Sequence, residues 1–118
     1  MIGAGSGAAG TVTVNGTVSV NTIQFNAPGS GNYTVTGGTL SMAGSSPAIG
    51  FGVAGPSPTI NSVIGEASPG TAVYFGNPSY RGTMTLNGTN TFSGTATLDE
   101  VTVYFNNLQN GGTASSFG

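Results

Sequence analysis

The sequence predicts an all-β protein whose short strands wind into a solenoid, and three observations carry that reading. First, Thr, Val, Gly, Ser and Asn dominate the 118 residues, and these are strand and turn formers. Second, short strand-like segments recur directly after glycine, at Gly10-Thr-Val-Thr-Val, Gly16-Thr-Val-Ser-Val, Gly38-Thr-Leu-Ser-Met, Gly82-Thr-Met-Thr-Leu and Gly94-Thr-Ala-Thr-Leu. Third, Thr83–Glu100 and Val101–Gly118 are blocks of equal length, and Val73-Tyr-Phe-Gly-Asn is echoed by Val103-Tyr-Phe-Asn-Asn. Repeats of about 20 residues point to solenoids.

The physical reason is burial. A strand this short has one apolar face and cannot bury it alone. Coils stacked about 4.8 Å apart bury a continuous apolar column and pair every backbone group above and below. The residues expected inside are Val12, Val14, Val18, Val20, Ile23, Phe25, Val35, Leu40, Met42, Ile60, Ile64, Val73, Phe75, Met84, Leu86, Phe92, Leu98, Val101, Val103 and Phe105. Five to six coils would make a rod about 25 Å long.

Taken in order, Gly3–Gly10 holds only Gly, Ala and Ser and reads as a flexible lead-in, so the solenoid is expected over residues 11–118. Thr11–Val14 and Thr17–Val20 are strands around Asn15-Gly16, the strongest hairpin signal in the chain. That signal supports the alternative fold, an antiparallel β-sandwich. Asn21–Asn26 places Ile23 and Phe25 at period two. After a Pro/Gly/Ser turn, Tyr33–Thr36 and Thr39–Met42 flank Gly37-Gly38. Pro47, Pro56 and Pro58 interrupt the next stretch and belong at corners or edges, since proline cannot donate to a ladder. Thr59–Ile64, Thr71–Phe75, Thr83–Leu86, Thr91–Phe92, Thr95–Leu98 and Val101–Phe105 are the remaining strands, with Asp99-Glu100 at a corner.

Charge excludes whole classes of function. One basic and three acidic side chains are present: Arg81, Glu66, Asp99 and Glu100. Nucleic-acid binding needs Lys and Arg to neutralise phosphates, and a single Arg cannot supply that. An electrostatic membrane anchor fails for the same reason. No apolar run reaches the roughly 20 residues of a membrane span, so no membrane insertion of this segment is expected. Without Cys or His the usual zinc and transition-metal ligands are missing, so neither a metal nor a cofactor is expected. Gly5–Gly10 and Gly50–Gly55 match G-x-G-x-x-G, but one runs into a strand and the other into Pro56 rather than opening a helix.

The stretch Gly82-Thr-Met-Thr-Leu-Asn-Gly-Thr-Asn-Thr-Phe-Ser-Gly94 resembles the autotransporter-associated β-strand repeat, also called the passenger-associated transport repeat. Gly82, Thr83, Thr85, Leu86, Gly88, Asn90, Thr91, Phe92 and Gly94 carry the likeness. Asn21–Asn26, Tyr33–Met42, Thr59–Ile64 and Asn110–Gly118 fit as flanks. The resemblance implies a right-handed parallel β-helix from a large bacterial surface or secreted protein, of which this chain is expected to be a piece. Met84 stands where that motif has Leu, and Asp99-Glu100 where it has a glycine-containing corner.

No catalytic constellation is visible, and the expectation is that the chain is not an enzyme. Adjacent Asp99 and Glu100 point to opposite faces of an extended chain, whereas glycoside hydrolysis needs two carboxylates about 5–9.5 Å apart facing one cleft. Tyr74 and Tyr104 are candidate glycan contacts; an isolated Tyr more often lays its ring on the solenoid wall. The Thr-x-Thr pairs Thr11/Thr13, Thr83/Thr85 and Thr95/Thr97 could line one face, as in some ice-binding solenoids. Their irregular period instead favours Thr as an ordinary outward strand residue. The expected role is a non-enzymatic extracellular structural segment: a stalk, an adhesin scaffold or a self-stacking filament subunit. Its partner is then itself. The alternative is a glycan-binding solenoid module.

Overall fold

The computed structural model describes residues 1–3, 5–106 and 117. Most of Asn110–Gly118, one flank of the repeat resemblance, therefore lies outside the described residues. The first coil comprises β1 (Thr11–Thr13), β2 (Thr17–Val20) and β3 (Thr22–Phe25). The second has β4 (Thr34–Thr36), β5 (Thr39–Met42) and β6 (Ala48–Phe51), and the third β7 (Thr59–Ile60), β8 (Val63–Glu66) and β9 (Val73–Gly76). The fourth has β10 (Gly82–Leu86) and β11 (Ala96–Asp99), and β12 (Val101–Phe105) opens the next.

Every described strand pair is parallel. Three sheets form the walls, in the orders β1-β4-β7-β10-β12, β11-β9-β6-β3 and β2-β5-β8. The fold is the expected β-solenoid, and the antiparallel sandwich is excluded. Asn15-Gly16 makes a corner rather than a hairpin. Gly16 takes φ 65° and its carbonyl accepts the Thr39 amide of the coil below, sending β1 and β2 into different walls.

The solenoid has about four turns, not the five or six expected. Its coils are longer than the C-terminal blocks suggest. Side-chain hydrogen bonds between neighbouring coils join residues 22 to 27 apart in sequence through most of the chain, and only 19 apart for Arg81 and Glu100. The proline-bearing corners upstream account for the extra length. Two strand expectations also shift. Thr59–Ile64 bends at Asn61-Ser62 into β7 and β8, and Thr91–Phe92 forms no strand. Ahead of β1, Ile2 makes a parallel bridge to Phe25 and Ala8 one to Ser30, so this segment lies against the first coil.

The interior is a set of vertical apolar columns. In one, Val12, Val35, Ile60, Leu86 and Phe105 follow one another through register. Their exposures run 39%, 1%, 0%, 0% and 44%: the middle is sealed and the ends are open. Val18 heads the column Val18–Leu40–Ile64, and Leu98 ends Ile23–Ile49–Phe75–Leu98. Val12, Val18, Leu98 and Phe105, all expected inside, occupy inward positions but are exposed because no described coil covers them. Val20, Val101 and Val103 are half-buried for the same reason.

Candidate functional site: the coil ends and the Tyr74 groove

The Gly82–Gly94 motif is where the local chemistry is densest. Its residues close a wall of the coil. Glycine is required at Gly88, where a Cβ would sit 2.3 Å from the Ser62 carbonyl oxygen of the coil above. Asn90 then turns inward, fully buried, and its Oδ1 accepts the Ile64 amide at 2.7 Å. The Thr91 amide donates to the Ile64 carbonyl at 2.9 Å. One side-chain oxygen and one backbone amide thus satisfy the lower edge of β8 at Ile64, where a fourth strand of that sheet would otherwise lie. Phe92 packs on Phe75, with ring centroids 6.0 Å apart. The repeat residues are therefore structural elements of the coil.

Among the described residues, nothing pairs with the outer edges of β1 and β2 at one end, or of β11 and β12 at the other. Exposed Val12 and Val18 lie at the first end, and Leu98 and Phe105 at the second. An open parallel edge with apolar residues and no Lys to blunt it is a template for another chain.

A second feature lies on the wall built by β3, β6, β9 and β11. Outward positions there run Gln24, Gly50, Gly76, Asp99 in one column and Thr22, Ala48, Tyr74, Thr97 in the next. The two glycines leave a notch, and a groove of about 250 Å³ opens over it, lined by Gln24, Tyr74, Asn77 and Pro78 among others. Gly76 takes φ 106°, and a Cβ there would meet the Asp99 carbonyl at 1.9 Å. The Tyr74 hydroxyl donates to Asp99 Oδ2 at 2.5 Å, and this bond with the adjacent negative charge raises the phenol above its usual pKa. Asn77 Nδ2 donates to the Phe51 carbonyl at 3.0 Å. The structure does not bring Tyr104 to this groove; it projects from β12 on another wall and is exposed. Sequence reading singled out Tyr74 but missed Gln24, Gly50, Gly76 and Asn77. Their only linear signal is glycine inside two strands.

The acidic residues are dispersed. Asp99 binds Tyr74, whereas Glu100 pairs with Arg81 across the corner, so the two carboxylates have different partners. Glu100 is the only described non-glycine residue at positive φ, 50°. Because both substitutions lose the ion pair, Glu100→Gly and Glu100→Val isolate the backbone effect. Urea unfolding is expected to find the β-branched variant about 1–2 kcal/mol less stable than the glycine variant.

Glu66 holds the neighbouring corner. Its Oε1 accepts the Ser93 hydroxyl at 2.6 Å, and its Oε2 accepts the Ser93 and Thr71 amides, each at 3.1 Å. These bonds, led by the Ser93 hydroxyl, favour the carboxylate and lower its pKa. A lowered folded-state pKa contributes stability above the ordinary value of 4.5 that is lost as pH falls through the folded value. Melting temperature is expected to fall below about pH 4.5, and Glu66→Gln to flatten that step.

No group of three or more metal-ligating side chains converges among the described residues. No described helix is long and apolar enough to cross a membrane. Comparison of the chain with protein-family models, with curated proteins and with solved structures found no match.

Proposed function

We propose that this chain is a non-enzymatic structural segment of a bacterial surface or secreted protein and works by stacking coil on coil with further copies of itself. The observation that carries this reading is the way the apolar columns end: Val12 and Val18 open at one face, Leu98 and Phe105 at the other. Because the two faces differ, contact between copies is head to tail. Such contacts do not close and generate filaments. Each junction adds backbone ladders and continues the columns, so a stalk, an adhesin scaffold and a filament subunit all draw on the same surface. The likeness of Gly82–Gly94 to the passenger-associated repeat supports the surface or secreted setting.

Sedimentation velocity tests the proposal. The chain is expected to form coaxial oligomers as concentration rises, and Val18→Lys or Leu98→Lys to return it to monomer with the fold retained. Oligomers unaffected by both substitutions would place the contact elsewhere.

The Tyr74 groove favours a second reading, a glycan-contacting wall. The Tyr74 ring and the Gln24 amide around a two-glycine notch suit a single sugar ring. A glycan array compared across wild type, Tyr74→Ala and Tyr104→Ala separates the readings. Loss in Tyr74→Ala alone supports the groove, and no binding by any of them removes it.

A further inference from the structure

The wall formed by β1, β4, β7, β10 and β12 has an outer face unlike the other two. Register puts Thr11, Thr34, Thr59 and Thr85 directly above one another, one per coil over four coils. Beside them Thr13 sits on Thr36, and that column continues into Asn61 and Asn87, whose side chains hydrogen-bond at 2.9 Å. On the other flank, Thr83 lies on Thr102, and the Thr83 amide bond to the Pro56 carbonyl aligns Ser57 above them. The sequence spacing of these residues is irregular because the corners differ in length. Pairing removes the irregularity. The other walls keep no such order: one column runs Thr17, Thr39, Val63 and another Thr22, Ala48, Tyr74, Thr97.

Three properties say what this face fits. Its hydroxyls repeat at about 4.8 Å between coils and about 6.6 Å along a strand. Thr is stiff at χ1, so each position presents a methyl and a hydroxyl in a nearly fixed pose. In the four-Thr column, no hydroxyl is spent on a hydrogen bond within the described residues. Charged side chains would impose their own hydration, and none stands in the four-Thr column: Glu66 and Asp99 end strands of other walls, and the Arg81–Glu100 pair sits at the margin, beside Thr102 at the start of β10 and β12. A rigid, uncharged, two-dimensional array of hydroxyls and methyls is a template for water held in a lattice of similar repeat. The columns of the first four coils also contain no aromatic, the group on which sugar rings stack; Tyr104 enters only in β12.

We infer that this face binds ice. Its ligand is the surface of a water crystal, with the four-Thr column as the centre of the contact. The inference is independent of end-to-end stacking, which would merely lengthen the array.

Ice recrystallisation in a frozen sucrose solution is the test, with thermal melting as the control for folding. The wild type is expected to halt crystal growth. Thr34→Tyr combined with Thr59→Tyr is expected to abolish the effect without lowering the melting temperature, because neither side chain has a hydrogen-bond partner among the described residues. Thr17→Tyr, on another wall, is expected to keep it. Growth at the buffer rate with wild type would overturn the inference, as would full activity in the folded double variant. Retention on crystalline cellulose or chitin without any effect on ice would overturn it in favour of a polysaccharide surface.

Discussion

Phe75→Ala is expected to cost about 3–5 kcal/mol of unfolding free energy, measured in urea. Phe75 is fully buried at the centre of its column, between Ile49 above and Leu98 below. Its ring also meets Phe92 at 6.0 Å and Phe117 at 6.1 Å between centroids. Truncation leaves a cavity that its neighbours cannot readily collapse into, because the backbone at Ile49 is fixed by ladders on both sides and that at Leu98 by the ladder to β9. Leu98→Ala, one coil lower in the same column, is expected to cost under about 1.5 kcal/mol, since Leu98 is 49% exposed. Equal losses at the two positions would mean that the column is sealed at its end as well as in its middle.

Asn90→Ala is expected to cost about 2–4 kcal/mol, combining an unsatisfied buried amide at Ile64 with the volume lost from a fully buried position. The damage is local in origin. Ile64 keeps its carbonyl bond to the Thr91 amide but loses the acceptor for its own N–H. Hydrogen exchange is therefore a second readout: the Ile64 amide should lose protection in the variant before the amides of β6 and β9 do. Unchanged protection at Ile64 would show that another acceptor replaces the Asn oxygen.

The fold class was legible because strand patterning, the absence of strong helix signals and recurring glycine turns all point the same way. What misled were two local signals. Asn15-Gly16 satisfies the left-handed backbone a hairpin needs, but a solenoid corner needs the same conformation, and only pairing with Thr39 decides between them. The coil count came from the C-terminal blocks, where the single residue Glu100 turns β11 into β12. Upstream corners carry Pro47, Pro56 and Pro69 and take more chain per turn.

Sites were less legible because they are vertical. Gly50 and Gly76 form the notch beside Tyr74 only once their coils are stacked. The Thr rows likewise lack a constant linear period but share a register. Asn90 belonged to the recognised motif. Its role as a stand-in for a missing strand depends on its side chain turning inward, which no spacing reveals.

Cryo-electron microscopy of the chain at high concentration is the most direct check on the idea that coils grip coils between copies as they do within one. The expected images show filaments one chain wide, with a 4.8 Å ladder running unbroken along the axis. Each subunit should add about 20 Å, the height of four coils. Dispersed single particles, or chains associated side by side with the ladder interrupted at every subunit, would contradict it.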